Sequence, residues 1–268
     1  MQKIINVENK PFSMAINESV PFPLMISSHE RSGTHFLINS IALNSKFTNN
    51  PLIHFDNNFL GALINFYSSK SIMNFFHFLV EKKCSSIVKN HFASEFFVDD
   101  KNDNFILEQL KIIYIARDPF YALASYCRFI NFLSMKEGPR TDNLMMFIKS
   151  EPRWNMIRYQ DSQYPSVAER WANHVLGWHR LSLKHKNVCF VTYRDLDENY
   201  FETIEKIFEF LQVPAERKFE RPDANKNTVR IPNLNQIEID DEKIIRSEIW
   251  KLLANHDTNL LKCILKLD

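Results

Sequence analysis

The chain has 268 residues, 45% of them hydrophobic and 24% charged, with 33 Lys and Arg against 32 Asp and Glu for a formal net charge of +1. That length and hydrophobic share support a well-buried core without disulfide or metal staples and exclude a disordered or fibrous chain. The near-neutral balance argues against a general polyanion-binding surface, so no nucleic-acid partner is expected, although a local basic pocket stays open. Glycine occurs only at Gly33, Gly61, Gly138 and Gly177, which cannot write a G-x-G-x-x-G dinucleotide loop.

Cys84, Cys127, Cys189 and Cys263 form no C-x-x-C pair and read as buried, reduced thiols. The opening MQKIINVENK lacks the apolar stretch of a signal peptide. The most apolar window, residues 59–80, is broken by Asn65, Lys70 and Asn74. It falls short of the roughly 20 apolar residues that a membrane span needs and reads as a largely buried helix pair. A cytoplasmic protein without membrane insertion is expected.

In chain order, residues 21–28 (PFPLMISS) read as a buried strand and residues 36–43 as the helix after it. Residues 85–89 suggest a second short strand. Residues 111–116 (KIIYIA), rich in β-branched and aromatic side chains, make a clearer one. A helix over 119–129 follows, with Pro119 suited to a first helical turn. Residues 187–192 (NVCFVT) read as another strand. After it, Phe201, Ile204, Ile207, Phe208 and Leu211 recur at helical spacing within 198–211. Strands alternating with helices predict an α/β fold, a central parallel sheet flanked by helices on both faces, in a single domain over 1–268. Residues 128–165, polar and irregular with Gly138, Pro139 and Pro152, read as an excursion that lids the site on its acceptor side.

Ligands of an open parallel sheet sit at the carboxyl ends of its strands. After the first strand come Arg31, Ser32, Gly33, Thr34 and His35. Gly33 permits a tight turn, the hydroxyls donate to oxyanions, and the next helix aims its free N–H groups at the same point. An ordinary capped turn has much the same sequence, and no Walker G-x-x-x-x-G-K-[ST] occurs. After the second strand, Lys89 and His91 pair a cation with a proton acceptor. After the third come Arg117 and Asp118, the latter placed to cap the helix, and Ser125 eight residues beyond Arg117. The remaining histidines show no metal-ligand spacing, and no metal is expected.

These motifs resemble, in order, those of the PAPS-dependent sulfotransferases. Arg31 to Thr34 is similar to their 5′-phosphosulfate loop, residues 113–126 (IYIARDPFYALASY) to their 3′-phosphate motif, and Lys89-Asn90-His91 to the Lys-x-His of the cytosolic branch. Residues 171–178 (WANHVLGW), 191–196 (VTYRDL) and 210–213 (FLQV) continue the likeness as far as Val213. The resemblance implies a P-loop-like three-layer fold and 3′-phosphoadenosine 5′-phosphosulfate (PAPS) as cofactor. The reaction it implies is in-line transfer of the sulfuryl group to a hydroxyl or amine of a small-molecule acceptor. It assigns the general base to His91, support of the transferring group to Lys89, and the bridging oxygen to Arg31. Ser32, Gly33, Thr34 and His35 fall to the 5′-phosphate loop, Arg117 and Ser125 to the 3′-phosphate, and Phe36 and Tyr193 to the adenine.

The chain departs from the family pattern in three places. Arg31 stands for a Lys, and Phe36 for a frequent Trp. The glycine-containing loop that closes on the 3′-phosphate has no counterpart beyond Lys226 and Arg230. Glu30, beside the cradle, is an alternative base. Two other readings stay open from sequence: a small-molecule or nucleotide kinase on a related P-loop fold, and a non-catalytic nucleotide-binding protein.

Overall fold

Five short segments, most of them apolar, pair into one parallel sheet, and their order in it brings the loops of interest side by side. The computed structural model describes residues 3–6, 12–56, 60–61, 63–98, 105–133, 137–160, 162–215, 218–223 and 242–267. The chain begins with an antiparallel hairpin, β1 (Lys3–Asn6) and β2 (Ser13–Ile16). Then come β3 (Leu24–Ser27), α1 (Thr34–Asn44), β4 (Thr48–Phe55), α2 (Ser69–Glu81), β5 (Ser86–Asn90), α3 (Phe105–Gln109) and β6 (Lys111–Ala116). They are followed by α4 (Pro119–Phe132), α5 (Leu144–Lys149), α6 (Val167–Lys184), β7 (Val188–Thr192), α7 (Tyr193–Glu198), α8 (Tyr200–Leu211), α9 (Glu242–Leu252) and α10 (Thr258–Leu265). Single 3₁₀ turns lie at Ser94–Phe97 and Trp154–Tyr159.

The sheet order is β4-β5-β3-β6-β7, every pair parallel. All four residues of β3 are buried, as a central strand covered on both faces requires. One face packs against α2, α4 and α6 through Phe76, Leu123, Trp171 and Trp178. The other packs against α1 and α8 through Leu37, Ile41, Ile204 and Leu211. This is the three-layer P-loop-like α/β arrangement expected.

Three expectations need correction. The edge strand β4 has no counterpart in the sequence reading, because its TNNPLIHF carries Asn49, Asn50 and Pro51. Pro51 lies on an edge strand and within the stretch 48–53 where the pairing with β5 is irregular, both of which accommodate a proline. The excursion at 128–165 is less irregular than expected: α4 runs on to Phe132, and α5 and a 3₁₀ turn follow. Of the four thiols, Cys84 and Cys127 are buried, Cys189 is half-buried and Cys263 is exposed.

Candidate active site

The loops after β3, β5, β6 and β7 open into one cavity of about 1090 Å³. At its base the chain leaves β3 through Ser28 and enters α1 at Gly33, whose φ of 97° lies in the left-handed region. A Cβ at Gly33 would run into the Tyr193 ring. Glycine therefore lets the loop close onto the end of β7. Arg31 also holds a positive φ of 65°, a conformation uncommon for a non-glycine residue. The Ser32 hydroxyl is buried without a partner among the described residues. A buried, unsatisfied donor beside the N-terminus of α1 fits an oxyanion.

Two guanidinium groups crowd this cradle. Arg31 Nε donates to Ser125 Oγ at 3.2 Å, and the Arg31 head lies over the Phe129 ring at 4.9 Å. Arg117 Nη1 reaches the Arg31 carbonyl at 3.3 Å, and its head stacks on Tyr193 at 4.5 Å. Burial, then the neighbouring Arg117, pulls Arg31 below its ordinary value. Like charges held together call for an anion between them. Asp118 caps α4 as expected, accepting from the Phe120 and Tyr121 N–H groups, and its second oxygen binds Arg246 of α9 at 2.8 Å. Phe36 is buried, stacks on Tyr200, and lies 5.2 Å from the Arg221 head. His35 lines the cavity and is pushed down to about 4 by burial and by Lys89.

Lys89 and His91 face the same cavity from the end of β5. The His91 Nδ1 lies 2.8 Å from the Ser28 carbonyl. A carbonyl only accepts, so Nδ1 carries the proton and Nε2 keeps a free lone pair. Burial first, and Lys89 second, hold His91 well below 6.5. The imidazole is therefore neutral at neutral pH. Lys89 is pushed down to about 8, chiefly by burial.

Glu30, the alternative base, is engaged elsewhere. Its carboxylate forms a two-pronged pair with Arg170 at 2.8 and 2.9 Å and accepts from the Tyr126 hydroxyl at 2.8 Å. The Arg170 guanidinium beside it holds the carboxyl well below the usual carboxylate range against the cost of burial. A carboxylate so paired is a poor proton acceptor.

The same cavity also has a polar wall. Arg158 binds Glu137 at 2.8 Å and approaches Asp56 at 3.6 Å. Asn155 donates to Glu137 at 3.3 Å, and the Tyr159 hydroxyl donates to Asp56. All five residues line the cavity, together with Arg128, Phe129 and Leu133.

The structure thus brings Arg31, Gly33, Thr34, His35, Phe36, Lys89, His91, Arg117, Ser125 and Tyr193 to one cavity. Ser32 is buried behind it. Lys226 and Arg230 lie outside the described residues. Asp56, Glu137 and Arg221 were not singled out as site residues in sequence, since no local motif marks them. Arg170 was missed too, although it stands four residues before His174 on a helix already noted.

A strand-to-helix turn flanked by two guanidinium groups shares one cavity with a neutral imidazole on a P-loop-like fold. The chain belongs to the sulfotransferase domain family, whose pattern it matches over residues 21–256. Sulfotransferase 1E1 of Rattus norvegicus is 27% identical over 144 residues, 54% of this chain and 43% of that protein. A 3-alpha-hydroxysteroid sulfotransferase of Cavia porcellus is 33% identical over 109 residues, 40% of this chain and 33% of that one. The matched segments thus span less than half of these relatives. Among solved structures, mouse sulfotransferase SULT7A1 complexed with PAP superposes with a TM-score of 0.53 at 16% identity, covering 96% of this chain and 97% of the other. Retinol dehydratase in a complex with retinol and PAP gives 0.54 at 15% identity, covering 88% and 82%. Likeness at that identity establishes the shared fold. Among the described residues no helix is long and apolar enough to cross a membrane.

Proposed function

We propose that the chain transfers a sulfuryl group from PAPS to a hydroxyl or amine of a small-molecule acceptor. The observation that carries this reading is one cavity that joins a crowded Arg31–Arg117–Ser125 cluster to an imidazole whose Nε2 lone pair is free. When bound, PAPS supplies the activated sulfuryl group.

The chain's own residues do the rest. Ser32, Thr34 and the first N–H groups of α1 bind the 5′-phosphate, and Arg117 and Ser125 bind the 3′-phosphate. Phe36 and Tyr193 flank the adenine. Arg31 stands where negative charge grows as the sulfur–oxygen bond breaks, so its cation acts more strongly on the transition state than on the ground state. His91 Nε2 takes the acceptor's proton, and Lys89 steadies the sulfuryl oxygens. The excursion at 128–165 lids the acceptor side, where Glu137, Asn155, Arg158 and Tyr159 line the cavity.

Calorimetry with adenosine 3′,5′-bisphosphate (PAP) and with 5′-AMP tests the nucleotide assignment. Each charge-assisted bond to the 3′-phosphate is worth about 1.5–3 kcal/mol, so PAP should bind more tightly by at least about tenfold. Arg117→Ala should remove most of that preference. Equal affinity for the two nucleotides would sink the reading. Mass spectrometry of an acceptor mixture incubated with PAPS then reads turnover directly.

A further inference from the structure

Helix α6 carries Arg170, His174 and Trp178 at successive i, i+4 positions on one face, at 1%, 3% and 0% exposure. None of the three faces solvent, and each grips a segment from the end of a strand. Arg170 holds the loop after β3: it pairs with Glu30 and donates Nη1–H to His29 Nε2 at 2.8 Å. His174 Nε2 lies 3.1 Å from the His91 carbonyl, after β5. Trp178 Nε1 donates to the Phe92 carbonyl at 3.1 Å.

The protons along this face are fixed by their partners. His174 Nε2 faces a carbonyl and must donate, so Nδ1 accepts from the Tyr114 hydroxyl at 2.8 Å. His29 Nδ1 faces the Glu30 carbonyl at 3.0 Å and must donate, which leaves its Nε2 to accept from Arg170. Each named donor meets one acceptor with no conflict.

We propose that α6 acts as a ruler that sets His91 against the anion cradle. Arg170 fixes residues 29 and 30, and His174, a positioning residue, fixes the His91 main chain one helical turn further on. The His91 ring is held at Nδ1 by the Ser28 carbonyl, and its backbone is held by His174. Together these two points aim Nε2 in one direction. The geometry stands by itself; the effect on turnover rests on the role proposed for His91. Loosening the backbone point should lower kcat and leave nucleotide affinity alone, because His174 touches neither nucleotide phosphate site.

Side-chain length separates a ruler from simple packing. In His174→Gln the amide N–H falls near the place of Nε2 and still reaches the His91 carbonyl. In His174→Asn it falls near the place of Nδ1 and does not. The Gln variant should keep kcat within about fivefold, whereas Asn and Leu variants should lose about 10²-fold, the cost of a misplacement near 1 Å. Tyr114→Phe, which removes one oxygen and frees the His174 tautomer, is the milder variant and should cost about fivefold. PAP affinity should stay within about twofold throughout.

A readout independent of acceptor is ¹⁵N-histidine NMR. The His91 Nδ1 proton should stay protected from exchange in wild type and in His174→Gln, and exchange rapidly in His174→Asn. Equal behaviour of the Gln and Asn variants, in kcat and in exchange, would overturn the proposal. A wild type that neither binds PAP nor consumes PAPS, yet keeps the Gln and Asn exchange pattern, would sink the proposed function and uphold the ruler.

Discussion

The proposed donor end of the cavity draws Gly33, Thr34, Arg117 and Ser125 from the segments that directly follow β3 and β6, two hydrogen-bonded neighbours in the sheet. The proposed acceptor end draws Asp56 from beyond the edge strand β4, and Glu137, Asn155, Arg158 and Tyr159 from the long excursion after α4. At the donor end the strand spacing of about 4.8 Å sets how far apart the loops stand, whatever their side chains. At the acceptor end the segments are pinned to one another mainly by ion pairs and hydrogen bonds centred on Arg158 and Asp56. The first kind of site is set by topology and the second by side chains, so substitutions should separate them.

The largest separation is expected at the boundary. His91→Ala should lower transfer to an alcohol acceptor by about 10²–10⁴-fold and leave PAP affinity unchanged. The wild-type pH profile of kcat/KM checks the same group. His91 is held well below 6.5 by burial and by Lys89, so the base form persists as pH falls below neutrality and the acid limb should begin well under 6.5. Lys89, at about 8, loses its cation above that value, so the rate should fall as pH rises through it. An acid limb at 6.5 or above would move the base to another group.

Arg31→Ala should lower turnover by more than it weakens PAP binding, because the charge that Arg31 meets grows only as the reaction proceeds. Single-turnover rates set against calorimetric affinity measure the two. Loss of affinity with kcat intact would make Arg31 part of the ground-state cradle alone. The smallest effect is expected at the far wall. Glu137→Gln keeps the shape but turns the bond to Arg158 from ion-paired to neutral, so the KM for acceptor should rise by about fivefold with PAP affinity unmoved. A change in PAP affinity here would mean that the two ends are not separable.

The same contrast accounts for what the sequence revealed. Residues 111–116 match β6 end to end, and residues 21–28 contain β3, because buried parallel strands are short continuous apolar runs. Each donor-end motif lies within a few residues of such a run and is readable as a unit. Arg158, Glu137 and Asp56 lie up to 102 residues apart in the chain and meet only through the fold. No spacing announces them. Arg170 and His174 fall between these cases. Their spacing of four is visible, but only the structure gives His174 a carbonyl to hold. The likeness to known motifs ends at Val213, whereas the family match continues to residue 256, across α9 and its Arg246 contact with the α4 cap. Helices that dock by two salt bridges, Arg246 to Asp118 and Glu248 to Lys149, and a few apolar contacts leave little local signature.

Gly33 carries a consequence for how related sequences vary. Two separate conditions keep it a glycine: its φ of 97° and the Tyr193 ring where a Cβ would stand. Shrinking the side chain at 193 relieves the second and leaves the first, so no single compensating change frees the position. Lineages that alter Tyr193 should therefore still retain glycine at 33. A natural relative with alanine there should show a rebuilt loop between β3 and α1 rather than a substituted one.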